Sequence, residues 1–248
     1  MSGAGRTRRV GVMAVIVLAI AWAVAATGEP TSIVASPTGT LVNTSAISDA
    51  GLVVGVMNTD GGESSMAFDV NTAGVVVGYR NPAGSFAPQA VRYDLGQGNL
   101  TPIDPLPGDT TAIATGLNDA DQIVGVSGPD VGFSGRGFVL DRGSGDRREI
   151  PASETVPKTG AFDINDAGIV VGGSISTSTP STAFRYDPTA DILTPIGTLP
   201  GDSNSVAVAI NEHGVIVGHS CPSDQPGRYR AFAYDPETSI PTEPSGTG

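Results

Sequence analysis

Apolar residues along this chain fall in short runs, and the runs alternate with polar turns at a regular spacing. The stretch at 162–173 reads FDINDAGIVVGG: an alternating segment, a polar turn opened by Asn165, and a continuous apolar run closed by glycine. The same pattern recurs as FDVNTAGVVVG at 68–78, TGLNDADQIVG at 115–125 and VAINEHGVIVG at 208–218, and in degraded form as SAISDAGLVVG at 45–55. Alternation predicts a half-buried strand, and the apolar run predicts a strand buried on both faces. The Asn-x-x-Gly between them predicts a hairpin turn. Its asparagine can hydrogen-bond the backbone two residues on, and its glycine accepts the positive φ at which the chain re-enters the ladder. The turn positions are then Ser48, Asn71, Asn118, Asn165 and Asn211, with Gly51, Gly74, Gly168 and Gly214. The departures follow the same mechanism: Ser48 offers a weaker hydroxyl version of the turn, and Asp121 replaces the glycine with another residue enriched in left-handed conformations.

Two further columns keep the same period. QAVRYD, RGFVLD, TAFRYD and RAFAYD end at Asp94, Asp141, Asp187 and Asp235, about 47 residues apart, and each aspartate opens a turn. PIDPLPGD (102–109) and PIGTLPGD (195–202) each precede a hairpin. A period of roughly 40–50 residues built from short strands is the signature of propeller blades. Each repeat reads as four strands, the fourth LTPI-like and tolerant of proline, which places it at the outer edge. The expected fold is an all-β repeat protein, a small β-propeller of five blades with one abbreviated, or of four blades with an extra hairpin. The N-terminal segment 31–46 resembles the connection at 191–207, and the N-terminal strand is expected to complete the last blade. The predicted layout is a leader over 1–26, one repeat-built β domain over 27–240 and a flexible tail over 241–248. The repeats lie near 45–67, 68–110, 115–157, 162–204 and 208–240.

The leader is a secretory signal by pattern: Arg6, Arg8 and Arg9, then the apolar run at 10–26, with an Ala-x-Ala site at 23–25. Cleavage after Ala25 or Ala26 would place the protein outside the cell or in the cell envelope; an uncleaved membrane anchor is the alternative. Removing the leader's three arginines leaves 10 basic against 25 acidic side chains. Such a surface repels phosphate backbones and anionic membranes, so nucleic acid and membrane partners are excluded apart from the leader itself. The single cysteine, Cys221, rules out an internal disulfide.

With these columns in place, GDSNSVAVAINEHGVIVGHS followed by RYRAFAYD resembles the bacterial extracellular HAF repeat, named for a His-Ala-Phe tripeptide. The resemblance spans essentially the whole chain after the leader. Gln89, Arg136, Thr182 and Arg230 stand where the family has histidine, while Ala-Phe persists at 183–184 and 231–232. The resemblance implies export and a propeller-like fold, and implies no established activity.

No catalytic motif stands out. GHSCP at 218–222 precedes a proline and a loop, not the helix a nucleophile elbow needs. Asp69 and Asp163 could face a central channel or simply cap turns. NDADQ (118–122) and NTDGGE (58–63) superficially resemble calcium loops but lack the spacing of an EF-hand, so no cofactor is expected, calcium being the one ion the chain suggests. His213, His219 and Cys221 do not converge as a metal site. In an up-down blade, the loops between strands two and three share one face with the inter-repeat connections. These loops carry Tyr79, Phe86, Phe133 and Tyr229. Aromatics among Gly, Ser and Pro on a rigid face suit glycan or protein recognition. The expectation is a secreted binding or surface-structural module, with a secreted propeller hydrolase or lyase acting on polysaccharide as the alternative.

Overall fold

A computed structural model describes residues 8–9, 40–47, 53–58, 64–129, 135–174, 181–225, 227–238 and 241–243. Every element among them is a strand. A hairpin of β2 (Thr40–Ile47) and β3 (Val53–Asn58) has the two-residue β1 (Arg8–Arg9) at its edge. Four units of four strands follow. Unit one is β4 (Ser64–Val70), β5 (Val75–Asn81), β6 (Gln89–Asp94) and β7 (Asn99–Ile103). Unit two is β8 (Thr111–Leu117), β9 (Gln122–Gly128), β10 (Arg136–Asp141) and β11 (Arg147–Glu149). Unit three is β12 (Gly160–Ile164), β13 (Val170–Gly173), β14 (Ala183–Asp187) and β15 (Ile192–Pro195). Unit four is β16 (Asn204–Ile210), β17 (Ile216–Cys221), β18 (Arg230–Tyr234) and β19 (Pro241–Thr242). Each unit is an antiparallel meander, and the fold is an all-β, propeller-like repeat.

The turns form as their chemistry requires. Gly74, Gly168 and Gly214 lie at φ of 77°, 79° and 81°, and Asp121 takes the same place at 59°. Each asparagine carboxamide oxygen accepts the N–H four residues on, at Val75, Gln122, Ile169 and Val215. Asn118 and Asn211 also accept the N–H two residues on. The second column behaves alike: Asp94, Asp141, Asp187 and Asp235 each accept backbone N–H groups from the turn they open.

Successive units stack face to face, with β8 on β5, β12 on β9 and β16 on β13. The continuous apolar run of strand two is what makes this possible, since its alternate residues serve opposite faces. Val75 and Val77 meet Ala114, Ile123 and Phe138 of the next unit; Val124 meets Ala161, Val170 and Phe184; Val171 meets Ala207, Ile216 and Phe232. Burying a side chain of this size contributes about 1.5–3 kcal/mol. Each first strand carries one extra residue at the same register, Phe68, Thr115, Phe162 and Val208, and Ser45 repeats the irregularity in β2. Opposite the residue before the bulge lies the glycine that closes each apolar run, at Gly78, Gly125, Gly172 and Gly218.

Three expectations are corrected. The degraded first copy is not a separate abbreviated blade: β3 pairs in plane with β4, so the first sheet has seven strands, and of the two expected arrangements it is the four units with an extra hairpin that is found. Among the described residues, the fourth strand of the last unit is β19 and not an N-terminal strand. Residues 31–39 lie outside the described residues, residues 40–42 belong to β2, and the chain supplies its own outer strand as β19, paired with β18. Residues 241–243, expected to belong to the tail, are placed in the sheet or against it: Pro241 is buried, a position an edge strand permits to proline, and Glu243 is held by Arg230. The leader, Arg8 and Arg9 apart, and the turn positions Ser48 and Gly51 lie outside the described residues.

Candidate functional site

The loops after strand two separate the four aromatic candidates rather than gathering them. Tyr79 is not a loop residue at all. It lies on β5, half-buried, its ring 5.9 Å from that of Phe68, and burial pushes its hydroxyl above the ordinary tyrosine range. Phe86 is 87% exposed at the tip of the unit-one loop. A turn closed by Ser85 N–H on the Pro82 carbonyl, with Gly84 at φ 72°, and a second bond from Ala87 N–H to the Ser85 hydroxyl shape the backbone around it. Tyr229 is 59% exposed and meets His219 edge-on at 4.8 Å. Burial lowers the His219 pKa, which keeps that imidazole neutral at neutral pH. Phe133 lies outside the described residues.

Beneath these loops, two units carry the same polar clamp. In unit two the buried Asp109 accepts from the Ser127 hydroxyl at 2.8 Å and from Arg136 at 2.9 Å. Arg136 also donates to the Pro107 carbonyl and to Glu149 at 2.6 Å. In unit four Asp202 accepts from Ser220 and from Arg230, which likewise donates to the Pro200 carbonyl and to Glu243. Each clamp ties an inter-repeat connection to the ends of strands two and three. The groups spend their hydrogen bonds on one another, which is the arrangement of a brace, not of an acid-base pair awaiting substrate. The sequence carried a signal for it: of the aligned positions 89, 136, 182 and 230, only 136 and 230 are arginine, in the two units that LPGD precedes. In unit three Thr182 stands in place of the arginine, and the buried Ser174 hydroxyl, where Ser127 and Ser220 sit, has no hydrogen-bond partner among the described residues.

Burial alone would raise the Asp202 carboxyl, but the Ser220 hydroxyl and the Arg230 guanidinium outweigh it and hold it below the ordinary carboxylate range. Asp141 is lowered by the Ser144 N–H first and by the Gln122 amide second. A carboxyl lowered in the folded chain contributes stability that is complete above its unfolded pKa, near ~3.9, and is lost as pH falls through the folded value. The melting temperature should therefore fall as pH drops from about 5 to about 2, and Asp202→Asn should flatten part of that slope. Thermal melts across that range check it.

The opposite face, where the asparagine turns lie, is a ladder between units. The Asn71 amide donates to the Asn118 carbonyl at 3.2 Å, Asn118 to Asn165 at 3.0 Å, and Asn165 to Asn211 at 3.2 Å. A second rail runs beside it: the N–H groups of Thr72, Asp119 and Asp166 donate to the carboxylates of Asp119, Asp166 and Glu212. Asp69 and Asp163 are buried and do not form an acidic ring open to a channel. Each bridges its own strand to the next, Asp69 accepting from Val70 and Leu117, Asp163 from Ile164 and Ile210. At the intervening junction, where Gly116 stands in place of the aspartate, the Thr115 hydroxyl donates to the Ala161 carbonyl at 2.8 Å. Oxygens of the calcium-like NDADQ stretch are committed as well: the Asn118 carboxamide oxygen accepts from the Ala120 and Gln122 N–H groups and its carbonyl from the Asn71 amide, Asp119 accepts from the Thr72 N–H, and Asp121 takes a two-pronged bond from Arg92. Residues 59–63 of the second such stretch lie outside the described residues. His213 lies exposed in a turn and Cys221 is buried in β17. Among the described residues no group of three His, Cys, Asp or Glu side chains is placed to hold a metal ion.

Against this geometry, the comparisons speak to fold alone. A family model described as a protein of unknown function, DUF3466, matches residues 142–242. That segment takes in units three and four. No curated protein matches the sequence. A solved structure described as a candidate TolB from Agrobacterium tumefaciens is similar with a TM-score of 0.50 and 11% identity, over 76% of this chain and 75% of that one. TolB from Acinetobacter baumannii is similar with a TM-score of 0.48 and 14% identity, over 70% of this chain. The chain spans 41% of that protein's length. The likeness to the Agrobacterium structure agrees with the stacked meanders in assigning a propeller-like repeat fold.

Proposed function

We propose that this chain is an exported binding or surface-structural module that recognises an extracellular glycan or protein through the loops after strand two. One observation carries the reading: Phe86, a large apolar side chain beside a hydrogen-bonded turn, stands 87% exposed, more than any other large apolar side chain among the described residues. An aromatic ring held out from a rigid sheet offers contact area at small conformational cost. The leader pattern and the resemblance to the HAF repeat support an extracellular location.

Phe86→Ala should weaken binding to whatever ligand a glycan array or extracellular-protein panel returns by about tenfold or more. It should leave the melting transition within about 0.5 kcal/mol of the unaltered chain. Equal binding by the two proteins would remove this loop from the recognition surface.

A further inference from the structure

The third strand of each unit and the asparagine turn of the next one meet differently at each of the three junctions. At the first, Arg92 on β6 gives a two-pronged bond to the Asp121 carboxylate, from Nε at 3.1 Å and from Nη2 at 2.8 Å. At the second, the strand position is the buried Val139 and the turn position is Gly168. At the third, arginine returns as Arg185 on β14, but the turn position is again glycine, Gly214. The two arginines are equivalent by register. Arg92 pairs with Val77 and Thr101, and Arg185 with Val171 and Thr194. Each stands 29 residues before its turn position.

Arg185 is half-buried, and among the described residues nothing accepts a hydrogen bond from it or pairs with its charge. Asp187, the counterpart of the Asp94 that lies 3.8 Å from Arg92, is spent on the N–H groups of Thr189 and Ala190. There is room for a partner at the turn: a β-carbon built on Gly214 would meet only Pro236, at an ordinary contact of 3.5 Å. The place is also open to solvent, since Asp121 in the equivalent position keeps 29% of its side chain exposed.

We propose that Arg185 binds the carboxylate of a ligand, a small organic acid or an acidic sugar, where the Asp121 carboxylate stands against Arg92. A guanidinium fork matches a carboxylate with two parallel bonds, and a guanidinium withdrawn from water is stabilised by such an acceptor. His213, exposed beside Gly214 where the other three turns carry Ala73, Ala120 and Ala167, supplies a further ring N–H to an anion at this place. The net charge of −12 disfavours polyanions, so the ligand carries a single carboxylate and not a charged polymer. The site lies on the face of the asparagine turns and is independent of the reading built on Phe86.

Titration of the purified chain with sodium acetate, with sodium chloride lowered to hold the ionic strength constant, tests it. The readouts are the NMR signals of the Arg185 Nε–H and of the backbone N–H groups at 211–215. The expected result is a saturable shift at a single site. Arg185→Gln should weaken acetate binding about tenfold or more, and Gly214→Asp, which supplies the carboxylate from the chain itself, should do the same. Aspartate is accommodated there, as Asp121 shows at φ 59°. Asp121→Gly should act in reverse and open a second acetate site at Arg92, a gain that a folding defect does not imitate. Glucuronate in place of acetate separates the two sources: tighter binding assigns an acidic sugar, and equal or weaker binding a small acid. The absence of a saturable shift at Arg185, or an unchanged one in Gly214→Asp, would overturn the proposal.

Discussion

Gly125→Ala is expected to lower the stability of the whole array by about 3 kcal/mol, the upper part of the range for overpacking a filled core. The glycine lies in β9 opposite Ala114, one residue before the bulge at Thr115, where the first strand comes unusually close. A β-carbon there would collide with the backbone carbonyl oxygen of Ile113 and lie 2.8 Å from the ring of Phe138. Neither neighbour can give way cheaply. The carbonyl belongs to a paired strand, and Phe138 is fully buried between units one and two. Units three and four repeat the arrangement, with Phe184 over Gly172 and Phe232 over Gly218. In a domain of this size each kcal/mol shifts the midpoint by about 2–4 °C, so a fall of roughly 6–12 °C is expected in a thermal melt. An unchanged midpoint would mean that the close approach of β8 to β9 does not matter to the fold.

Asn118→Asp should cost a similar amount, about 3 kcal/mol near neutral pH, although it removes no atom from the turn. The oxygen that accepts from Ala120 and Gln122 is retained. What is lost is the amide that donates to the Asn165 carbonyl at 3.0 Å and to the Gln122 side chain at 2.7 Å. A carboxylate in its place would turn negative charge toward two acceptor oxygens at a site 1% exposed. Part of the loss should return at low pH, where the introduced carboxyl is protonated and can donate again. Melts of the variant relative to the unaltered chain at about pH 7 and about pH 4 measure both effects.

The comparison between sequence and structure turns on what a single repeat can reveal. Asn71, Asn118, Asn165 and Asn211 were legible as turn residues because the bonds that need them lie within four residues. The positive φ at Gly74, Gly168, Gly214 and Asp121 was legible for the same reason. The apolar runs announced stacking because both faces of a strand such as β5 require cover. The other half of each asparagine's work was not visible. A bond from Asn71 to Asn118 spans 47 residues, and the sequence period marks such positions as equivalent without saying that they touch. The glycine closing each run served to align the copies, but its reason lies in a bulge on one strand and a phenylalanine on another. The clamp of Asp109, Ser127, Arg136 and Glu149 draws each residue from a different segment, so only the coincidence of LPGD with Arg136 and Arg230 hinted at it. Among the site candidates, Phe86 and Tyr229 proved exposed. Tyr79 did not, because alternation along β5 turns it toward Phe68.

If the asparagine turns join unit to unit, one substitution must have two different costs along the same ladder. Asn118 donates to the next unit, and Asn211, at the exposed end, does not donate onward among the described residues. The direct measurement is a pair of thermal melts on Asn118→Asp and Asn211→Asp at neutral pH. The inner variant is predicted to melt about 6–12 °C lower, while the outer one, which keeps its acceptor for His213 and Val215, stays within about 0.5 kcal/mol of the unaltered chain. Equal losses at the two sites would mean that these asparagines act only within their own turns, and that the stacked units are held by side-chain packing and the other cross-unit bonds without this ladder.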